Sequence, residues 1–332
     1  MNIFNTFLSN PGGIAGTVYP PALSAAEPPW KYPQVQKWSF SIQRDLGFNT
    51  ALNVAYVGTK GTHLLGAINL NQPFPNPAVA DGTISPDSVR PYPGFSTITA
   101  YDSRFASTYQ ALQVSANHRL SHGLAFQASY TYSKTLTDTS TEWSTPEDSR
   151  NLRLEKGLAS FDVPQVLTFN YIWEIPAFQT TKGITHAVLG GWEASGITNI
   201  QSGFPFTPFL PTDNEGIGGG LERPNQIASS SGPKSLYQWF NSAAFVTPPI
   251  ATFGNAPNGA VRGPGTINWD FSLSKQFDIR ESMNLRFRSE FFNIFNHPSF
   301  NTIDVGLGDV TYGQVTGALS PRLIQFSLEL SF

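Results

Sequence analysis

Hydrophobic and polar residues alternate with a period of two over much of this chain. Trp38, Phe40 and Ile42 alternate with polar neighbours, and the C-terminal residues do the same. A period of two is that of a β-strand whose two faces meet different surroundings. The pattern predicts almost no helix and nine strands, at residues 37–43, 51–56, 112–117, 124–133, 167–174, 192–201, 268–277, 284–291 and 324–332.

The lengths of the strands and of their connections indicate an all-β, antiparallel transmembrane barrel. The strands are roughly ten residues long, as a tilted strand must be to cross a bilayer, whereas strands of soluble proteins typically have about 5–6 residues. Short and long connections alternate, as they do in outer-membrane barrels. The short ones lie at 45–49, 120–123, 176–188 and 278–282, and the long ones at 59–107, 137–162, 204–266 and 296–321.

The number of strands predicts an incomplete barrel. Single-chain bacterial barrels have an even number of strands. Nine is odd, and residues 310–316 are a candidate tenth strand. If the last strand ends on the periplasmic side, the four long connections are extracellular. We therefore expect residues 1–34 to be an irregular extracellular segment and residues 35–332 to be the C-terminal part of a larger barrel.

The composition removes several other classes of protein. Only 13% of the residues are charged, about half of the ~25% usual in soluble domains, while 40% are hydrophobic. The net charge of −3 argues against a nucleic-acid partner, and the absence of cysteine excludes disulfides and thiolate metal sites. No apolar run is long enough for a transmembrane helix, and no secretion signal is recognisable.

The alternation divides the strand residues into a lipid face and a lumen face. A charge in the middle of the lipid face costs about 2–4 kcal/mol, and Lys275 is the exception on an otherwise apolar side. Aromatic residues near strand ends predict interfacial girdles: Tyr130, Tyr132, Trp173, Trp192 and Trp269. Charged residues on the polar side are expected to face the lumen: Arg286, Arg288, Glu290 and Glu329. For the first three, pairing with residues of adjacent strands is favoured over contact with a plug or solute.

The last strand carries a further signal. Apolar residues alternate up to an aromatic C-terminus, at Ile324, Phe326, Leu328, Leu330 and Phe332. This ending resembles the recognition signal of outer-membrane barrel assembly, in which one exposed strand edge pairs with another. The alternative is an ordinary edge strand. The partners expected from the sequence are therefore outer-membrane lipid and the barrel assembly machinery.

Several phrases of the sequence resemble one family, in the same order along the chain. They lie at residues 56–64 (YVGTKGTHL), 130–134 (YTYSK), 161–164 (FDVP), 191–193 (GWE), 201–207 (QSGFPFT), 262–265 (RGPG), 290–298 (EFFNIFNHP) and in the ending from Pro321 to Phe332. From about residue 34 onwards the chain resembles the C-terminal barrel of TonB-dependent receptors. It is most similar to the Oar-like group, which has a carboxypeptidase-regulatory-like N-terminal domain.

The resemblance implies a place in the outer membrane of a Gram-negative cell. Receptors of this family have a barrel of about 22 strands, an N-terminal plug and a segment that contacts TonB, and neither of the last two is recognisable here. We expect uptake or binding of a bulky, unidentified solute, no enzymatic activity and no cofactor. TonB would be engaged only through a missing N-terminal part. Two alternatives stay open: a complete small porin or outer-membrane enzyme, and a soluble β-domain that binds glycans.

Residues suited to catalysis or metal binding form no recognised motif. The five histidines lack metal-ligand spacing, and His118 and His122 flank a predicted turn. The acidic, glycine-rich segment 213–220 lacks EF-hand spacing, so a flexible loop is favoured over a calcium site. Solvation of a long loop is likewise favoured over paired catalytic carboxylates for Glu142, Glu147, Asp148 and Asp162.

Overall fold

One large antiparallel sheet dominates the fold. The structure is a computed structural model that describes residues 20–26, 31–139, 145–178, 180–220, 222–280 and 283–332. Nine main strands pair in chain order. They are β1 (Gln34–Gly47), β2 (Thr50–Asn69), β3 (Ile98–Ser121), β4 (Leu124–Thr137), β5 (Gln165–Glu174), β6 (Trp192–Gln201), β7 (Thr266–Arg280), β8 (Met283–Phe292) and β9 (Leu323–Ser331). Within the described residues β9 does not pair with β1, so the sheet is open.

The remaining elements are short. Two helices are α1 (Pro77–Ala80) and α2 (Ile184–Leu189), and 3-10 turns lie at Pro86–Val89, Leu152–Glu155 and Ser242–Ala244. In the described part of the chain, no helix is long and apolar enough to cross a membrane. The short strands are Leu23–Ala26, Gly157–Leu158, Pro205–Phe206, Asn225–Gln226, Phe245–Val246, Val261–Arg262, Phe300–Ile303 and Val315–Ala318.

The strand register gives the sheet one apolar face and one polar face. Neighbours across the strands form an apolar row made of Ile42, Val54, Val114, Tyr130, Leu167, Ile200 and Ile267. The positions one residue away form a polar row made of Gln43, Asn53, Ser115, Ser129, Thr168, Asn199 and Asn268. Because a slip of one residue would exchange the faces, the alternation in the sequence specifies this register.

The connections separate the two ends of the sheet into a turn side and a loop side. The turn side carries the β1–β2, β3–β4, β5–β6 and β7–β8 connections, and the loop side carries the other four. Phe48 and Asn49 of the β1–β2 connection both have positive φ, at 51° and 57°. Two-residue hairpins favour this conformation because its twist matches that of the strands.

Three expectations about the elements are wrong. Residues 59–69 and 98–107 belong to β2 and β3, so the first long connection is shorter than expected. Residues 23–26 form a strand parallel to the start of β3, within the segment expected to be irregular. Strand Val315–Ala318 pairs with Phe300–Ile303 instead of joining the main sheet, so the candidate tenth strand at 310–316 does not exist as a wall strand.

The loop-side connections pack into folded structure. Residues from the β6–β7 and β8–β9 connections share one apolar core, in which Phe240 is 2% exposed. The Phe240 ring meets the rings of Phe245 and Tyr312 edge to face, with centroid separations of 5.9 and 5.3 Å. A second small core joins Ile68, Ala100 and Phe105 of β2 and β3. These connections therefore form a packed cap on the loop side.

Candidate functional site

A buried arginine on the loop side joins two connections. Arg223 of the β6–β7 connection forms ion pairs with Glu147 and Glu155 of the β4–β5 connection, at 2.9 Å from Glu155 Oε1. Its guanidinium also donates to the carbonyl oxygen of Leu154 at 2.6 Å. The side chains of Arg223 and Glu147 are both 4% exposed. Because a buried guanidinium needs its partners to offset desolvation, this contact holds the two connections at one place.

A carboxylate of the β6–β7 connection organises the glycine-rich segment. Asp213 accepts hydrogen bonds from the backbone N–H groups of Gly216, Ile217, Gly218 and Gly219, at 2.8–3.1 Å. Burial raises the pKa of Asp213, but hydrogen bonds from Glu222 and from the backbone outweigh it and leave the pKa below its usual value. This carboxylate therefore holds the segment 213–220 as a defined loop.

Two further carboxyl groups are buried without a cationic partner of their own. Glu215 and Glu222 are 1% and 0% exposed, and no described donor reaches either oxygen of Glu215 or Oε1 of Glu222. Burial raises the pKa of Glu222 to about 8, and the facing carboxyl of Asp213 adds to this effect. Burial and the facing carboxyl of Glu147 raise the pKa of Glu215 well above its usual range. Burial therefore favours the protonated form of both groups, and a protonated carboxyl can donate to the carboxylate it faces.

Two cavities adjoin this cluster of carboxyl groups. One has a volume of about 380 Å³ and is lined by Glu147, Glu155, Arg223 and Asn258 among others. The other has a volume of about 320 Å³ and is lined by Glu222 and, like the first, by Glu147. Glu147 thus lies between the cavities, and a solute entering either one meets charged and hydrogen-bonding groups.

The acidic residues singled out in the sequence have separate roles. Asp148 pairs with Arg150 at 3.3 Å and Asp162 pairs with Arg262 at 2.8 Å, while Glu147 pairs with Arg223. Glu142 lies outside the described residues. Three of the four therefore bind arginines and do not form a catalytic carboxylate pair with one another.

The histidines and the glycine-rich segment show no metal-ligand arrangement. His118 stacks on Phe126 and bonds to the hydroxyl of Thr50, whereas His122 bonds to Ser121. Nowhere in the described ranges are three or more His, Asp or Glu side chains grouped so that they could hold a metal ion. The Asp213 carboxylate is instead occupied by its own backbone.

The predicted lumen charges all lie on the polar face. Arg286 is opposite Glu329 in the β8–β9 register. Arg288 forms an ion pair with Glu290 at 2.8 Å and donates to the hydroxyl of Ser272 on β7 at 3.3 Å. Arg288 and Glu290 also line a cavity of about 460 Å³ along the wall. The structure thus brings these four residues together in two neighbouring pairs.

The predicted interfacial aromatics all lie on the apolar face. Trp173 and Trp192 are at the turn side and Tyr132 is toward the loop side, whereas Trp269 lies midway, in register with Ala128. Tyr130 lies one pair further in from Tyr132. Aromatic residues therefore border the apolar face toward both ends, and Trp269 lies between these two belts.

The predicted terminal signal forms the exposed edge of the sheet. Leu330 and Leu328 lie opposite Leu285 and Phe287 of β8, and Phe326 and Ile324 lie opposite Ser289 and Phe291. Every residue of β9 is exposed, and Phe332 is 93% exposed. The alternating apolar residues are therefore paired on one edge, and the other edge faces no described strand.

The cluster around Arg223 was not recognised in the sequence. Its members come from segments about 70 residues apart, and Arg223 pairs with Glu147 over a separation of 76 positions. The available signal was the dense set of charges within 213–223 in a chain with few charges. The density of charge identifies the segment 213–223, but it does not identify Glu147 and Glu155 as the residues that Arg223 contacts.

The open sheet, its two faces and its packed loops define an outer-membrane β-barrel protein. The chain belongs to the family of the outer membrane beta barrel domain, whose model matches residues 2–325. The family match places the protein in the outer membrane. No curated protein sequence matches the chain.

The chain is similar in fold to several outer-membrane transporters. It has 11% identity to the outer membrane transporter YddB from Escherichia coli, with a TM-score of 0.49 over 96% of this chain and 34% of that one. The ferripyoverdine receptor of Pseudomonas aeruginosa has 12% identity and a TM-score of 0.43, over 90% of this chain and 27% of the receptor. The ferric preacinetobactin receptor BauA from Acinetobacter baumannii has 11% identity and a TM-score of 0.44, over 90% of this chain and 29% of the receptor. The chain thus spans about a third or less of these proteins.

Proposed function

We propose that the nine strands are part of the wall of a larger, TonB-dependent barrel of the Oar-like kind that binds or takes up a bulky solute. The observation that carries this proposal is the open sheet with one apolar face. Both edge strands, β1 and β9, are exposed along their whole length. In hydrocarbon each unsatisfied backbone group costs several kcal/mol, so a membrane-spanning sheet needs partners at both edges.

In this proposal, residues 35–332 form the wall and its loops, and the short strand Leu23–Ala26 lies at the loop side beside the start of β3. The apolar face meets lipid, with the aromatic belts at the two interfaces. The polar face, with Arg286, Arg288, Glu290 and Glu329, lines the lumen. Gating belongs to a plug and contact with TonB to a separate segment, both outside residues 35–332, so this wall does not transport by itself.

The loop side is the extracellular side in this proposal. The packed cap and its two cavities are then the first surfaces that a solute meets. The terminal strand β9 is the segment offered to the assembly machinery, since its free edge is exposed. Glu147, Asp148 and Asp162 are each paired with an arginine, which disfavours a catalytic carboxylate pair among them.

A first experiment tests the larger barrel. Outer membranes of the source cell are run on denaturing gels with and without heating, and bands with peptides of residues 35–332 are identified by mass spectrometry. We expect a heat-modifiable species much larger than the 36.2 kDa of this chain. A heat-modifiable species of 36.2 kDa would establish a complete small barrel and overturn the proposal.

A second experiment tests dependence on TonB. Living cells are treated with formaldehyde, and the species that contains this wall is purified and probed for TonB. We expect cross-linked TonB, and its loss when the segment preceding the wall is deleted. A full-size barrel that is correctly assembled but yields no TonB would contradict this part of the proposal.

A further inference from the structure

A helix on the turn side exposes apolar side chains. Of the turn-side connections in the described residues, that between β5 and β6 is the one with a helix, α2. Ile184, Val188 and Leu189 of α2 are 83%, 55% and 47% exposed. Exposure of these three apolar side chains to water is unfavourable, and a contiguous exposed apolar surface marks an interaction site.

The helix lies over the apolar face of the sheet. Lys275 is on that face, since it pairs with Trp192 and Phe287 in the strand register. Its ammonium donates to the carbonyl oxygens of Gly190 and His186 at the end of α2. The indole N–H of Trp192 donates to the carbonyl oxygen of Val188 at 3.0 Å. Both contacts tie the C-terminal end of α2 to the apolar side of the wall.

These contacts explain why a lysine is tolerated on the apolar face. Lys275 is only 5% exposed. Its ammonium lies over the rings of Trp192 and Phe277, 5.6 and 5.0 Å from their centroids. The carbonyl end of a helix carries partial negative charge, and aromatic faces attract cations. The helix and the rings therefore solvate a charge that lipid could not.

We propose that α2 is an interfacial helix, which lies in the turn-side lipid leaflet, inserts Ile184, Val188 and Leu189 among the acyl chains and shields Lys275 from lipid. The occupant of its exposed surface is lipid because that surface continues the apolar face and its aromatic belt. An amphipathic helix at a membrane interface has this placement. The inference rests on the proposed function, in which the apolar face meets lipid.

Single-cysteine spin labels test the placement, since the chain contains no cysteine. Variants Ile184→Cys and Val188→Cys are labelled in outer membranes that contain the whole native protein. Leu112→Cys, exposed on the apolar face, is the reference for lipid, and Gln127→Cys, exposed on the polar face, is the reference for water. Collision rates with oxygen, which partitions into lipid, and with a water-soluble nickel chelate are measured by power saturation.

We expect the labels at 184, 188 and 112 to favour oxygen and the label at 127 to favour the nickel chelate. If the label at 112 favours nickel, the proposed lipid face is wrong. If 112 favours oxygen but 184 and 188 favour nickel, only the interfacial helix is overturned. Poor access of both reagents at 184 and 188 would show that protein covers α2, and would also overturn the inference.

A rescue experiment tests the shielding of Lys275. Residues 177–190 are replaced by a short polar turn, with and without Lys275→Met. We expect the replacement to lower the folded, heat-modifiable fraction several-fold, and Lys275→Met to restore most of it. Lys275→Met alone should assemble normally. If the replacement has no effect, or the loss persists with Lys275→Met, shielding of the lysine by α2 is refuted.

Discussion

At the scale of single residues, the buried cluster on the loop side contains more carboxyl groups than arginines. Arg223 is shared by Glu147 and Glu155, while Glu215 and Glu222 are buried without a cation of their own. Burial raises the pKa of both groups and favours their protonated forms, which reduces the excess of negative charge, because a proton between two carboxyls replaces repulsion with a hydrogen bond. The cluster therefore combines the ion pairs of Arg223 with two carboxyl groups, Glu215 and Glu222, whose protonated forms are favoured.

Removal of the arginine should loosen the cap. In Arg223→Met, Glu147 and Glu155 lose their cation while still buried, and breaking a buried pair in this way costs about 3–5 kcal/mol. We expect faster proteolysis in the β4–β5 and β6–β7 connections, measured by mass spectrometry of timed digests. Arg322→Met, at an exposed position, is the matched control. Equal digestion of the two variants would contradict a central role for Arg223.

Glu222 should make the cap less stable as the pH rises. Its pKa in the folded protein, about 8, lies above the ordinary value of 4.5. A carboxyl group with a raised pKa contributes fully below its ordinary pKa, and its contribution is lost as the pH rises through about 8. We expect hydrogen-exchange protection of residues 213–220, corrected for intrinsic rates, to fall between these values.

Glu222→Gln should reduce that dependence on pH, because the amide imitates the protonated carboxyl. The part of the pH dependence that comes from Glu215 should remain. Glu329→Gln, on β9 and far from the cap, should leave the dependence unchanged. If protection in Glu222→Gln falls as steeply as in the native protein, the assignment of the proton to Glu222 is wrong.

At the scale of elements, the tight turns have different tolerances for a side chain. Gly123 and Gly47 both have positive φ, at 79° and 77°. A Cβ on Gly123 would lie 2.9 Å from the carbonyl oxygen of Glu174, whereas a Cβ on Gly47 would meet nothing within 4 Å. A side chain at either glycine therefore has the cost of a positive φ, but only at Gly123 does it also collide with a neighbouring strand.

This difference gives a matched pair of variants. Gly47→Ala should lose only the conformational term, about 1 kcal/mol. Gly123→Ala should lose more, by an additional 1 kcal/mol or more by rough estimate, because the β4–β5 contact must also shift. Urea unfolding of the heat-modifiable form measures both. Indistinguishable midpoints for the two variants would exclude the steric contribution.

The sequence predicted elements best where a single regular strand meets two different surroundings. All nine main strands were predicted, since each keeps one face apolar. The outer part of β2 was missed because its register with β3 shifts between Gly61 and Gly66, which breaks the alternation. The contact of Arg223 with Glu147 was missed because it joins distant loops, and neither segment has a period that reveals the other.

At the scale of the whole molecule, the two faces of the sheet should respond oppositely to charge. Leu328 and Ser327 are neighbours on β9, on the apolar and the polar face. If the apolar face meets lipid, Leu328→Lys should cost up to about 2–4 kcal/mol and lower the assembled fraction. Ser327→Lys should cost far less, since it faces water. Equal assembly of the two variants would argue against lipid contact.

The shared core of the loop side has a consequence for the order of folding. The core draws Phe240 and Val261 from the β6–β7 connection, and Ile303 and Val305 from the β8–β9 connection. Neither connection can complete this core alone, and the closure of long loops must precede the contacts that reward it. The cap should therefore form only after both flanking hairpins have paired. Its resistance to protease would then report that this part of the wall has been completed.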